Sequence, residues 1–198
     1  MLLFDSEPVQ LLPCDGEAVY YGSIFSPAEQ DYYVKELLLL PWENDKSVIF
    51  GKTFITKRKV AWFADGEREY AYSGSVKKAL AWNRVLADLK HRVEQHQETA
   101  FNACLANLYH DHTEGMGWHS DGERSLVDEG VVASLSFGAT RKFQFKHRQT
   151  QQRISLLLEP GSLLVMKGKI QKYWLHRLCT QSAVCSERIN LTFRQMRA

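Results

Sequence analysis

Two hydrophobic periods divide the chain. In the first half, Tyr33, Leu37 and Leu40 recur at i, i+4 and i+7, the stripe of a helix that buries one face. Ser26-Pro27-Ala28-Glu29 marks its start: Ser26 caps, Pro27 takes the first helical position, and Glu29 completes a capping box. Pro41 stops it. Trp82, Leu86, Leu89 and Val93 form a second stripe and predict a helix beginning near Ser75. Between the two, residues 47–74 read as short strands and turns, with Asp65-Gly66 and Ser73-Gly74 as turn signals.

After about residue 100 the period becomes two. Val131 to Gly138 reads as a strand. Phe143 and Phe145 alternate with Lys142, Gln144 and Lys146, and Leu156–Leu158 and Leu163–Met166 flank the turn Glu159-Pro160-Gly161. Arg188 to Arg194 alternates strictly. Many short strands in succession imply an antiparallel sandwich or jelly roll. The expected architecture is a helical and β-hairpin N-terminal part packed on a C-terminal β-sandwich.

The 198 residues, 44% of them hydrophobic, are enough for a single domain with a sizeable core. No run approaches the roughly 18 apolar residues of a membrane span, and Met1-Leu2-Leu3-Phe4-Asp5 lacks the basic start of a signal peptide. Cys14, Cys104, Cys179 and Cys185 form no C-x-x-C pair and read as reduced thiols of an intracellular protein. Cys179 and Cys185 are the pair that could meet across a loop. The net charge of +2 is uninformative, but its distribution is not. Residues 1–45 carry nine acids against Lys35 alone, and residues 141–177 carry nine bases against Glu159 alone. Such asymmetry fits a surface that meets a polyanion, or an ordinary solvated face.

Candidate chemistry begins with His119-Ser120-Asp121. Alternate side chains of an extended segment share a face, so imidazole and carboxylate can reach one ion. Alone, this pair reads better as a surface histidine beside a solvated aspartate. His176, one strand after the Pro160-Gly161 turn, adds a third ligand. Two histidines and one carboxylate form the facial triad of non-haem Fe(II) oxygenases, which leaves positions open for a 2-oxo acid and O2. Zinc takes a similar donor set, so the co-substrate residues must decide.

In Arg188-Ile189-Asn190-Leu191-Thr192-Phe193-Arg194, the polar residues fall on one face and the apolar ones on the other. Burying two guanidiniums is costly without partners. A dicarboxylate solves this, because arginine binds carboxylates in a planar, bidentate manner. The alternative is an exposed edge strand with a charged outer face, which leaves Asn190 and Thr192 unexplained. Asn107 and Tyr109 also share a face and could donate hydrogen bonds to an oxo acid, or simply belong to a half-buried strand.

Together these residues resemble the AlkB family. The likeness rests on N-x-Y (Asn107, Tyr109), then G-W-H-x-D-x-E (Gly117 to Glu123), then His176, then R-x-N-x-T-F-R (Arg188 to Arg194), and it covers about residues 100–198. It implies an α+β fold with a double-stranded β-helix (jelly-roll) core, N-terminal helices and a β-hairpin nucleotide-recognition lid. In that reading residues 1–198 are one catalytic domain, with helices and lid in 1–99 and the iron and 2-oxoglutarate site in 100–198. The resemblance implies iron bound by His119, Asp121 and His176. It gives the C1 carboxylate end of 2-oxoglutarate to Arg194, the distal carboxylate to Arg188, and co-substrate hydrogen bonds to Asn107, Tyr109 and Asn190. The N-terminal half is similar to the duplex-repairing branch. Val48-Ile49-Phe50-Gly51-Lys52 resembles a finger whose aromatic fills the gap left by a flipped base. Arg58 belongs to a basic triplet (residues 57–59) suited to phosphates. Trp62, Tyr70 and Tyr72 are candidate platforms for the extruded base, and Glu123 a candidate partner for its exocyclic amine. A carboxylate there favours the cationic N1-methyladenine and N3-methylcytosine.

The implied activity is Fe(II)- and 2-oxoglutarate-dependent oxidative demethylation of such bases in DNA, using O2 and releasing formaldehyde, succinate and CO2. The alternative is an oxygenase acting on modified RNA or a protein side chain. The expected partner is methylated DNA, double- or single-stranded, with RNA as a further candidate and no membrane. The expected state is a cytoplasmic, bacterial-type monomer, or a nuclear protein if eukaryotic. His110-Asp111-His112 reads as a solvated loop rather than a second metal site.

Overall fold

Two strands, β1 (Val9–Gln10) and β2 (Glu17–Ser23), lead into α1 (Pro27–Leu38). The capping box at its start forms as the sequence implies. Glu29 N–H donates to Ser26 Oγ at 3.3 Å, and Ser26 N–H donates to the Glu29 carboxylate at 2.8 Å. These coordinates are a computed structural model that describes residues 7–49, 52–66, 69–72, 75–123, 125–183 and 186–197, with backbone alone for 46–49, 52–54, 69–72 and 75–77. Tyr33 and Leu37 of α1, and Leu40 just after it, are buried.

The next stretch departs from the short strands expected. β3 (Glu43–Ile49) pairs with β4 (Lys52–Ala64), a single strand of 13 residues. It is long because its first part pairs with β3 and its last part with a later strand. The short strands β5 (Glu69–Tyr72) and β6 (Ser75–Lys78) form a separate hairpin. This corrects the start of the second helix: Ser75 opens β6, and α2 spans Arg84–Glu94. The cap is Asn83, whose side chain accepts the Leu86 N–H at 2.8 Å. Leu86, Leu89 and Val93 are fully buried, as their spacing requires. Trp82 precedes the helix and stacks on Phe193, ring centroids 6.4 Å apart.

From there the chain is strand-rich: β7 (Ala103–Tyr109), β8 (Met116–His119), β9 (Val132–Gly138), β10 (Arg141–His147), β11 (Arg153–Leu158), β12 (Ser162–Lys167), the one-turn α3 (Ile170–Tyr173), β13 (Trp174–Leu178) and β14 (Arg188–Arg194). Two antiparallel sheets result. The larger has the order β1-β2-β12-β9-β14-β7-β4-β3 and the smaller β11-β10-β13-β8. Strands from before and after residue 100 therefore share the larger sheet. Glu159-Pro160-Gly161 carries the chain from one sheet to the other. Gly161 has φ +72°, and a Cβ there would lie 2.6 Å from Ser23 Oγ, so glycine is needed at this crossing.

The layers follow from the alternation. Apolar positions of β9, β12 and β14 (Leu135, Leu163, Leu191) pack against Leu37, Leu86 and Leu89 on the helical side. Between the sheets a second core gathers Phe143, Phe145, Leu164, Met166 and Trp174. The arrangement is the double-stranded β-helix expected, helices over one sheet and the second sheet facing it. Among the described residues, no helix is long and apolar enough to cross a membrane. Cys14, Cys104 and Cys179 are free thiols, while Cys185 lies outside the described residues.

Candidate active site

Strand register brings the two histidines together. β13 pairs with β8 so that His176 stands directly opposite His119, and their rings lie 4.3 Å apart edge to face. Asp121 follows in the loop after β8, its Oδ2 3.9 Å from His176 Nε2. One ligand atom from each of His119, Asp121 and His176 falls within 4.8 Å of the others, so residues distant in sequence converge as the family resemblance implies. His119 Nδ1 lies 2.7 Å from the Gly117 carbonyl. A carbonyl only accepts, so this nitrogen carries the proton and Nε2 keeps its lone pair for an ion. Phe143 stacks on His176 at 5.5 Å and fixes that ring.

The electrostatics put the three groups in ligating form. Burial alone would raise the Asp121 carboxyl, but Arg194 and the two imidazoles outweigh it and hold it below its ordinary value. Burial and the neighbouring His119 push His176 down to about 3. Carboxylate and neutral imidazole are what a divalent ion requires. Hard and borderline donors with a carboxylate fit Fe(II).

β14 lies in the middle of the larger sheet, between β9 and β7, and not at an edge. Its polar row faces the smaller sheet and is buried throughout: Arg188, Asn190, Thr192 and Arg194. Arg194 donates to Asp121 Oδ1 at 2.7 Å. Arg188 donates to Ser136 Oγ at 2.9 Å and lies over the Tyr109 ring at 5.5 Å. Its Nε has no partner, and no carboxylate pairs with it among the described residues. Burial lowers its pKa to about 10, which still leaves it cationic at neutral pH. A buried, unspent guanidinium fits a carboxylate-bearing co-substrate. Arg188 and Arg194 line one cavity with Asn107, Tyr109, Asn190 and the three metal-competent residues.

Some assignments change. Asn190 lines the cavity, but its amide donates to Ser134 Oγ at 2.9 Å and Leu135 O at 3.2 Å, and its oxygen accepts from Thr192 at 3.1 Å. It braces the wall. Arg58 is not a surface phosphate ligand. Alternation along β4 turns it inward, where it is 6% exposed, pairs with the buried Asp45, and donates to Asn107 Oδ1 at 2.7 Å. It lines the same cavity, and by occupying the Asn107 oxygen it leaves that amide's N–H donors for the co-substrate. Trp62 is a core residue packed with Val60 and Leu105, not a stacking platform. Phe50 lies outside the described residues, and Tyr70 and Tyr72 are placed only as backbone positions of β5. Glu123 lines a more open groove next to Asp121 and Arg194. His110 contacts Glu114 at 3.0 Å and belongs to a turn.

Other participants went unread in the sequence. Ser134 and Ser136 interrupt an apolar strand at period two, a signal that they face the polar row of β14. Gln171, which accepts the Asp121 backbone N–H at 2.8 Å, carries no such signal. A second cluster, Cys14, Asp15 and His147, is a poor ion site. His147 Nδ1 accepts the Thr150 N–H at 3.1 Å, so the proton sits on Nε2, 3.3 Å from Asp15.

Comparison with known proteins agrees with this geometry. Residues 17–194 match the family described as 2OG-Fe(II) oxygenase superfamily. The chain is 34% identical over 185 residues to the human alpha-ketoglutarate-dependent dioxygenase alkB homolog 3, covering 88% of this chain and 64% of that protein. It is 34% identical over 197 residues to the mouse DNA oxidative demethylase ALKBH2, covering 93% of this chain and 82% of that protein. Its human counterpart is 32% identical over 188 residues, covering 89% and 72%. The chain thus spans slightly under two thirds of the alkB homolog 3 proteins it matches.

Proposed function

Since the chain belongs to the AlkB branch of the 2OG-Fe(II) oxygenase superfamily, we propose that it is a dioxygenase that oxidatively demethylates N-alkylated bases in DNA, N1-methyladenine and N3-methylcytosine among them. The observation that carries the reading is the convergence of His119, Asp121 and His176 beside Arg188, a buried guanidinium with no carboxylate partner among the described residues. With Fe(II), 2-oxoglutarate and O2 bound, the centre supplies the oxidising chemistry: the oxo acid becomes succinate and CO2, and the N-methyl group is hydroxylated and lost as formaldehyde.

The protein's own residues orient and protect that chemistry. Arg188 provides a fixed cation for the distal carboxylate, with Ser136 and Tyr109 holding it in place. Arg194 bonds Asp121 and lines the cavity, where it would hold the other carboxylate end. Asn107, oriented by Arg58, adds donors. Leu105, Met116, Phe143, Met166 and Leu178 line the rest and exclude water.

Nucleic acid as the target is supported by the outer face of the smaller sheet. Its inner face holds the histidines, while Lys142, Lys146, Arg153 and Arg177 alternate outward and Arg148 follows at the end of β10. Strands β8, β10, β11 and β13 contain no Asp or Glu. Such a surface attracts a phosphate backbone more readily than a protein side chain. The relatives named as DNA oxidative demethylases favour DNA.

Mass spectrometry of methylated DNA and RNA oligonucleotides after incubation with protein, Fe(II), ascorbate and 2-oxoglutarate tests the reading. Loss of one methyl from DNA, with matching succinate, is expected, and Asp121→Ala abolishes both. Succinate formed while every methylated base stays intact would refute nucleic-acid demethylation but keep the oxygenase.

A further inference from the structure

His119 and His176 are held by strand pairing, each opposite the other. Asp121 has no such support, because β8 ends at His119 and Asp121 lies in the loop beyond. A carboxylate ligand on a loop must be fixed from outside to stay in productive geometry. Arg194 fixes its side chain at 2.7 Å. Its main chain is fixed by one side-chain amide: the Asp121 N–H donates to Gln171 Oε1 at 2.8 Å. We propose that Gln171 is a positioning residue for the metal centre, pinning the main chain at Asp121 so that its carboxylate stays within reach of both imidazoles.

The surroundings make Gln171 a firm anchor. It sits on α3, which runs directly into β13 and His176. One short segment therefore carries His176 covalently and holds Asp121 through Gln171. That segment cannot drift. Ile170 and Trp174 are fully buried on either side of Gln171. Gly16, at φ +136°, approaches so closely that a Cβ there would lie 2.6 Å from Ile170 Cα. Trp174 Nε1 donates to Cys14 O at 3.0 Å. The N-terminal segment thus clamps α3 from beneath.

The amide's orientation is settled by chemistry, since only its oxygen can accept an N–H. Its Nε2 is left buried and without a partner among the described residues, in a groove shared with Asp121 and Glu123. An unspent buried donor is unfavourable, and an apolar side chain of equal length would avoid that cost. The bond made by the oxygen accounts for a polar residue at this position.

The proposal rests on the family's metal centre and not on the nucleic-acid reading, and its test uses neither substrate. Anaerobic apoprotein is titrated with Mn(II) by calorimetry, without 2-oxoglutarate or oligonucleotide, for wild type, Gln171→Met and Gln171→Glu. The absorption spectrum of the Co(II) form is recorded for each. Gln171→Met, which removes the acceptor at constant length, is expected to weaken Mn(II) binding about tenfold and alter the Co(II) spectrum. Gln171→Glu keeps the acceptor and is expected to stay within about twofold of wild type. Wild-type affinity in Gln171→Met overturns the proposal, and so does an equal loss in both variants. Should Gln171→Met fail to fold, amide exchange in the wild type decides. Asp121 protected about tenfold over neighbouring loop amides supports the anchor, and exchange at the loop rate overturns it.

Discussion

Arg58 and Arg188 are both almost wholly removed from water, at 6% and 2% exposure, and both line the same cavity. Their surroundings differ. Arg58 pairs with the buried Asp45, whereas Arg188 meets a hydroxyl and an aromatic face but, among the described residues, no carboxylate. Replacing each with methionine should therefore act in opposite directions. Arg58→Met removes the guanidinium that pairs with the buried Asp45 and is expected to cost about 3 kcal/mol in urea unfolding of the apoprotein. Arg188→Met removes a buried charge that the apoprotein does not compensate, so stability should hold or rise while 2-oxoglutarate turnover disappears. Marked destabilisation by Arg188→Met would mean that the guanidinium serves the fold and not a ligand. Arg188 was legible from its place in a polar row at period two. Arg58 was misplaced because its neighbours at 57 and 59 are also basic, and only pairing across β3, β4 and β7 shows which of the three turns inward.

Among the elements, α1 declared both its apolar stripe and its start, α2 only its stripe. Ser26, Pro27 and Glu29 are local signals whose partners lie within one turn, so the sequence suffices. The expected start at Ser75 has neither a proline nor an acid behind it, and pairing with residues 69–72 claims it for β6; the true cap, Asn83, carries no capping box. The length of β4 was hidden because it is set by two partners, β3 just before it and β7 some forty residues after it. The α1 cap also yields a signed pH prediction. Hydrogen bonds from the Ser26 backbone and hydroxyl, helped by Arg92, hold the Glu29 carboxyl below its ordinary value. A depressed folded pKa gives stability that is present above the unfolded value and lost as pH falls through the folded one. Glu29→Ala should therefore be less stable than wild type at neutral pH, and the gap should close below about pH 4. Ser26→Ala should cost about 1 kcal/mol. Thermal unfolding from pH 3 to pH 7 checks both, and a gap that persists in acid would remove the ionised carboxylate from the account.

Across the whole molecule, the smaller sheet separates two environments: metal ligands and aromatic rings inside, cations outside. The basic run at 141–177 was visible in the sequence, but its division was not. Arg141 is fully buried, donating to the carbonyls of Asp111, Glu114 and Cys179, so it contributes nothing to the outer field. Arg177 and Lys146 flank the Trp118 ring at 4.5 and 5.0 Å, which ties them to the surface. Lys142 and Arg153 stand exposed on adjacent strands. If a strand of nucleic acid crosses this face on its way to the cavity, each of these two cations displaces condensed counterions from a phosphate. The logarithm of affinity for a single-stranded oligonucleotide should then fall less steeply with the logarithm of salt, by about 0.7 per contact removed, in Lys142→Gln and Arg153→Gln. Both residues are exposed, so Tm and Mn(II) binding should be unchanged, which separates a docking effect from damage to the site. Salt slopes identical to wild type in both variants would mean that the strand approaches the cavity by another route and that this cationic face serves solubility alone.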